Sequence, residues 1–420
     1  MDTSLRHPVI EVDLAIVGAG PAGSAAALRA RALAPGLDVV LVDANDFPRD
    51  KVCGDGIGPE GLDVLARLDA DDVVADAPRL DQIEVVAPSG RRARGRAPRA
   101  GVVVPRRRFD ARLRDLAIGR GALPLRHRVR RVTRSGDRVV LDDVVAASWV
   151  VAADGANSAV TRSIGRPRPP RNRTGLAMRG YAEMPDLDAL TIWFVADRWP
   201  AYAWAFPIGD GSANVGYGPF DATTISSRRD LEDSLAVLFG DVAVDPATRA
   251  AHHLPLSPAR TTMGQGRVLV AGDAANLVHP LTGEGIYYAL LSGAMAGAAV
   301  ARHLAGIDCP ELGPQEVYRR AMRARLGRHL RHTDLAAALL ASSLPVEVAV
   351  AAATDDERAL ATLAEFALGT GRIDAAMVGA MTAAWWRHRP FDDLVRAPAA
   401  PLALPGDLRA PNRRGASRGP

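Results

Sequence analysis

A thiol and an amine stand two residues apart in the glycine-rich stretch PRDKVCGDGIGP, residues 48–59. Lys51 is the single lysine among 52 basic residues, the rest being arginine, and Cys53 is one of two cysteines. A thiol can serve as proton donor, nucleophile or redox partner, and its pKa decides which. An ammonium beside it would lower that pKa, and neighbouring glycines would let a planar group approach the sulfur. Taken alone, a cysteine in a tight loop is more often a small packing residue. The motifs around it carry the decision.

The first is GAGPAG, with Gly18, Gly20 and Gly23. It follows the apolar run VDLAIV and opens an alanine-rich segment that reads as a helix. In such a turn the first glycine permits the bend and the second lets backbone approach a pyrophosphate. The third packs helix on sheet, and the helix N-terminus favours negative charge. Asp43 ends the strand DVVLVDA, 25 residues after Gly18, placed to accept ribose hydroxyls. Strand, helix and acid together point to a dinucleotide without separating NAD from FAD. Two further motifs bear on that choice: Asp154–Gly155 in VVAADGANSAVTR and Gly272–Asp273 in VLVAGDAANLVHPLTGEGI.

This trio, in this order, resembles the flavoproteins of para-hydroxybenzoate-hydroxylase fold. The resemblance implies FAD, with Gly272–Asp273 at its ribityl chain and the Asp154–Gly155 loop near both flavin and a nicotinamide donor. VVPRRRFDARL is similar to another element of that fold, whose arginine, here Arg106, reaches the FAD phosphates. Within the superfamily the chain resembles the geranylgeranyl reductase family over about residues 12–300, more loosely beyond. The carriers are PRDKVCGDG, YAWAFPIGDGSANVGYG and PLTGEGI, the last with Pro280, Gly283, Glu284 and Gly285. Val52 stands where proline is common in the family, and Tyr287 follows GEGI at a variable position. The resemblance implies reduction of isoprenoid C=C bonds in a polyprenyl or terpenoid substrate, with electrons from NAD(P)H. Cys53 is then the candidate proton source and Lys51 its electrostatic neighbour. The cofactor contacts it implies are Gly18, Gly20, Gly23, Asp43, Arg106, Asp154, Gly155, Gly272, Asp273, Pro280, Gly283 and Gly285.

YAWAFP has its own physics. On a strand Tyr202, Trp204 and Phe206 share one face and Ala203 and Ala205 the other. An aromatic wall of this kind suits an apolar polyene, each buried methyl or methylene contributing about 0.8 kcal/mol. Periodicity alone favours ordinary core packing; the family resemblance reverses that preference. Weaker candidates are His252–His253, which lack metal-ligand spacing partners, and His279 beside Pro280. Trp385–Trp386 suit a tunnel lining, a membrane interface or plain packing.

Two rival activities fit the same fold. A monooxygenase or epoxidase would oxygenate a terpenoid or aromatic compound, but aromatic hydroxylases of this fold usually carry an asparagine where Tyr287 stands. A halogenase would need a second lysine, and the chain has none. A non-enzymatic flavin or isoprenoid carrier would leave the Cys53 and Asp154 loops idle.

The elements that must position these groups are also readable. An α/β chain is expected, with a Rossmann-type FAD-binding domain on a parallel sheet built from residues 8–75, 100–168 and 262–310. A β-rich substrate domain with an antiparallel sheet is expected from 76–99 and 169–261, where β-branched and aromatic segments alternate with turns. Residues 311–398 read as a helical C-terminal region, and 399–420, rich in Pro, Arg and Gly, as a disordered tail. The formal net charge is +4, yet residues 91–138 hold 17 arginines against three acids. That excess reads mainly as a solvated surface. No nucleic-acid motif is present and aromatics for base stacking are few. Two distant cysteines, no basic-then-apolar leader and no long apolar run suggest a cytoplasmic protein with at most peripheral membrane contact.

Overall fold

The computed structural model describes residues 9–388, apart from 197–198, 226, 241 and 308–310. The chain opens with β1 (Ile10–Val17), α1 (Pro21–Leu33), β2 (Val39–Asp43), β3 (Gly56–Ile57) and α2 (Pro59–Ala66). Next come β4 (Leu80–Val86), β5 (Arg92–Val103), α3 (Arg106–Gly119), β6 (Leu123–Arg126), β7 (Val132–Ser135), β8 (Arg138–Leu141), β9 (Val145–Ala152) and α4 (Ala159–Ser163). The middle holds β10 (Thr174–Glu183), β11 (Leu190–Val195), β12 (Ala201–Pro207), β13 (Ser212–Pro219), α5 (Arg228–Phe239) and β14 (Ala250–Pro255). The last part holds β15 (Gly264–Gln265), β16 (Val268–Val270), α6 (Ile286–Leu304), α7 (Pro314–Leu339), α8 (Leu344–Asp355), α9 (Glu357–Leu368) and α10 (Ala375–Arg387).

Two eight-stranded sheets organise these elements. The first has the order β15-β16-β9-β1-β2-β6, with the β7–β8 hairpin joined to β9. Its central pairs, β1 with β2 and β9, β9 with β16 and β2 with β6, are all parallel. Both faces of β1 are covered from Leu14 onward, which is why VDLAIV reads as near-continuously apolar. The second sheet runs β14-β10-β13-β12-β11-β4-β5-β3. It is antiparallel except between β4 and β11, which pair in parallel and join residues 76–99 to the strands of the middle segment. The expected α/β architecture with a parallel sheet, a mainly antiparallel sheet and a helical C-terminal region is what the chain adopts. The tail 399–420 and Cys309 lie outside the described residues.

The tightest packing is between α1 and α6. A Cβ on Gly293 would stand 1.9 Å from Ala22 O, and one on Gly297 2.1 Å from Ala26 O. With alanines on the facing side, the two backbones meet without intervening side chains, and the Gly-Asp turn before α6 is carried up against the GAGPAG turn before α1. Overpacking of such a contact costs about 1–3 kcal/mol. Gly297→Val is therefore expected to lower the thermal midpoint and loosen flavin retention together; an unchanged midpoint would contradict this close approach.

Candidate active site

The GAGPAG turn sits where β1 enters α1. Gly18 has φ +101°, and a Cβ there would meet Ala153 O at 2.2 Å. The N-terminus of α1 carries no side-chain cap. Beside it, a Cβ on Gly20 would lie 3.3 Å from Arg49 Nη2 and 4.0 Å from Arg106 Nη2. Arg106 donates to both oxygens of Asp110, at 2.6 and 2.8 Å, and Arg49 Nη1 donates to the same carboxylate at 3.1 Å. Two guanidinium groups thus share one carboxylate, leaving a net positive charge beside an uncapped helix N-terminus. Such an arrangement can accept a pyrophosphate. Asp43 accepts from Ala19 N at 2.8 Å and Asn45 N at 2.9 Å, so its carboxylate is fixed at the head of the same turn.

Asp154 is absorbed locally. It accepts from Ser158 Oγ and from Ala159 and Val160 N, holding the start of α4 and the left-handed Gly155 in place. Gly272 leads into Asp273, whose Oδ2 accepts from Lys51 Nζ at 2.7 Å. Burial opposes ionisation of Asp273, but Lys51 outweighs it and holds the carboxyl below its usual range. Pro280 lies inside a turn closed by Gly283 N to His279 O and His279 N to Glu284 O, and Gly285 caps α6.

A cavity of about 330 Å³ runs from this region between the second sheet and the C-terminal helices. One end is polar: Lys51, Cys53, Asp55, Arg106, His252, Asp273 and Glu284. The remaining walls are almost wholly apolar, from Ile83, Val85, Ile192 and Phe194 on the sheet to Val346, Val350, Leu363, Phe366 and Met381 on the helices. Tyr202, Trp204 and Phe206 of β12 line one side together. Tyr202 donates to Thr282 O at 2.8 Å and stacks on Phe220 with centroids 5.0 Å apart. Trp204 donates to Asn214 Oδ1 at 2.9 Å. The two polar tips are thereby satisfied, so that on this side the cavity meets ring carbons. Gly54 packs directly on this wall, its Cβ position 3.2 Å from Phe206 and 3.4 Å from Trp204.

The Cys53 loop is pinned through a residue that sequence reasoning did not single out. Asp55, fully buried with φ +63°, accepts from Tyr181 Oη at 2.6 Å, Asn214 Nδ2 at 2.8 Å and Arg106 N at 3.3 Å. Asn214 Nδ2 also donates to Cys53 O at 2.8 Å. Burial pushes the Asp55 carboxyl up to about 6, against the pull of these donors. Arg179, itself buried and paired with Asp50, stacks its guanidinium 4.7 Å from the Tyr181 ring.

The expected role of Lys51 as the group that lowers the Cys53 pKa is corrected here. Lys51 is committed to Asp273, and the cation facing the thiol is Arg106. Burial outweighs that cation and raises the thiol above its ordinary value, so it stays protonated at neutral pH. Other placements were not visible in sequence. Arg49 joins the α1 cradle, although PRDK gives no hint of it. His252 lines the cavity beside Lys51 and Asp273 and is held neutral by burial, with a pKa of about 4. Glu284 accepts from Tyr287 N at 2.8 Å and is pushed by burial up to about 7. The alternation of β14 and the GEG motif are the only local signals for the last two. His279 is buried against His329 and Phe366, away from the cavity wall, and Trp386 is exposed.

The chain matches the FAD binding domain family over residues 11–312. It is 36% identical over 317 residues to a menaquinone reductase of Mycolicibacterium smegmatis, covering 68% of this chain and 75% of the relative. The chain is a flavoprotein of the FAD-binding-domain family. To a digeranylgeranylglycerophospholipid reductase of Methanopyrus kandleri the flavoprotein is 33% identical, over 70% of its own length and 77% of the relative's. Its fold matches a geranylgeranyl bacteriochlorophyll reductase-like protein of Thermoplasma acidophilum with a TM-score of 0.74, at 22% identity, covering 92% of this chain and all of that one. The resemblance to the geranylgeranyl reductase family is thereby met, and the flavoprotein is an FAD-dependent oxidoreductase.

Two of the raised carboxyls, Asp55 and Glu284, line the cavity and give the flavin-free chain a defined pH response. Folded Asp55 keeps its proton up to about 6 and folded Glu284 up to about 7, while in an unfolded chain both ionise near 4. Their contribution to stability is full below the unfolded values and falls as pH rises through each folded value. Glu284→Gln, which keeps the acceptor for Tyr287 N, is expected to flatten the upper part of this decline in thermal midpoint. An identical profile for wild type and variant would contradict the buried, protonated Glu284.

Proposed function

We propose that this flavoprotein reduces isoprenoid C=C bonds of a polyprenyl or terpenoid substrate, with NAD(P)H as the electron source. The observation that carries the reading is the cavity, apolar along its length and ended by a thiol whose surroundings keep it protonated. FAD, when bound, supplies hydride transfer to carbon. This chain's residues do the rest. The α1 N-terminus with Arg49 and Arg106 holds the pyrophosphate, Asp43 the ribose, and Gly272–Asp273 the ribityl chain, with Lys51 fixing the Asp273 carboxylate. The Asp154–Gly155 loop faces the donor's side. Tyr202, Trp204 and Phe206 hold the polyene, and the C-terminal helices exclude water.

An isolated alkene is a poor hydride acceptor, so position and a ready proton must carry the step. The Cys53 Sγ–H gives its proton to one alkene carbon as hydride reaches the other; the thiolate left behind takes a proton back from solvent between turnovers. Arg106, facing the sulfur, stabilises that transient charge. A neutral thiol suits this role better than a nucleophilic one, because nucleophiles need the thiolate. Lys51 acts as a positioning residue through Asp273. The relatives named as menaquinone and digeranylgeranylglycerophospholipid reductases support a prenylated substrate.

The test is anaerobic. The reduced flavoprotein is mixed with a polyprenyl alkene, and flavin reoxidation and product mass are followed. Reoxidation without oxygen and a product heavier by two hydrogen atoms are expected. Reoxidation that needs oxygen, with a product gaining one oxygen atom, would overturn the reading in favour of a monooxygenase. In the same assay Cys53→Ala is expected to slow the single turnover by about 10²-fold or more, as for a lost general acid. An undiminished rate would remove the thiol from the mechanism and leave the reductase reading intact.

A further inference from the structure

The cavity has a mouth that the chemistry does not explain. Of all its lining residues only Leu339 is exposed, at 57%. Leu339 ends α7, and the corner from there into α8 carries no charge from Leu335 to Val346. Leu335 is 65% exposed, and Ala338, Ala341 and Ser342 are exposed with it. The first charge beyond, Glu347, is turned inward and accepts from Ser89 N and Oγ at 2.7 and 2.6 Å. An uncharged, outward-facing corner in an arginine-rich chain leaves leucines in water at the entrance to an apolar cavity.

The same helix supplies the complementary feature. Arg328, Arg331, Leu335 and Leu339 follow one another at spacings of three, four and four, so they form one stripe along α7. Arg328 and Arg331 are exposed and have no ion-pair partner among the described residues. Arg331 stands about 12 Å up the helix axis from Leu339. An interfacial segment sinks its apolar face about 5–10 Å below the headgroup boundary. With α7 along the bilayer normal and the Leu339 corner at that depth, Arg331 comes to the level of lipid phosphates and Arg328 stands about 4.5 Å further out. No single described helix is long and apolar enough to cross a membrane; α7 and α8 reach that length and apolarity only together, and they meet at 113°, the shape of a corner that dips into a surface.

We propose that the α7–α8 corner docks on an anionic lipid bilayer and that the isoprenoid passes from the bilayer into the cavity past Leu339. This rests on the proposed isoprenoid substrate for its second half only; the docking itself is independent of chemistry. The occupant is a bilayer rather than a protein partner because the feature is a small apolar tip, continuous with the cavity and backed by cations with no ion-pair partner among the described residues.

The experiment uses the FAD-loaded full chain and sedimentation with vesicles of phosphatidylcholine, with and without phosphatidylglycerol. Binding is expected to the mixed vesicles, weaker without the anionic lipid and weaker at high salt. Leu335→Ser is expected to weaken partition roughly tenfold, from the loss of one buried leucine side chain. Arg328→Gln with Arg331→Gln is expected to abolish the preference for phosphatidylglycerol. Absence of wild-type binding, or binding that neither variant changes, overturns the proposal. A second readout separates it from the reductase reading. Leu335→Ser is expected to reduce detergent-dispersed substrate at the wild-type rate and vesicle-embedded substrate more slowly. Equal rates on both presentations overturn the route through the mouth, whereas no reduction of either by wild type would indict the substrate assignment and leave docking to the sedimentation result.

Discussion

One buried carboxylate ties the second sheet and the start of α3 to the Cys53 loop. Asp55 receives hydrogen bonds from Tyr181 on β10, Asn214 on β13 and the backbone that starts α3. It occupies a left-handed conformation that an aspartate tolerates better than a branched residue. Without an acceptor at this point three donors would be stranded, and each stranded buried group costs about 1–3 kcal/mol. The same node fixes Cys53, since Asn214 holds its carbonyl while Trp204, on the cavity wall, holds Asn214. Aromatic wall, thiol and the Arg106 helix therefore share one hydrogen-bonded frame, and a shift in any of them is felt by the others.

Charge is segregated along the cavity. Cations gather where anions are expected: two arginines at the uncapped α1 N-terminus, Lys51 on Asp273. Beyond this end, polar side chains either satisfy each other or turn their tips away from the walls. The low dielectric that results has two consequences. It raises the Cys53 thiol and the Glu284 carboxyl, so that both groups hold their protons more firmly than in water. It also makes an isoprenoid chain the natural guest, because each methylene transferred from water contributes about 0.8 kcal/mol and no headgroup recognition is required of the walls.

Much of this was legible in the sequence, because it is local. The GAGPAG turn, Asp43 at a strand end, the Gly-Asp before a long helix and the alternation of YAWAFP each depend on spacings under 30 residues. The parallel and antiparallel sheets follow from the same periodicities. What stayed hidden depends on contacts between distant segments. Asp55 looks like any aspartate in a glycine loop until Tyr181 and Asn214, 126 and 159 residues away, are brought to it. Lys51 invited pairing with its sequence neighbour Cys53, but its long side chain reaches Asp273, 222 residues on. His252 has no metal-ligand spacing partner in the sequence, and the strand that carries it becomes a cavity wall only when β14 pairs with β10.

The central claim is that one cavity, with the thiol at its polar end, receives the isoprenoid chain. It is tested most directly by a crystal structure of the FAD-loaded protein with a saturated polyprenyl analogue. The account predicts the chain lying along Tyr202, Trp204 and Phe206, beneath α8 and α9, with a carbon in van der Waals reach of Cys53 Sγ, at about 4 Å. A chain bound outside this cavity, or one that leaves Cys53 out of reach, would contradict it.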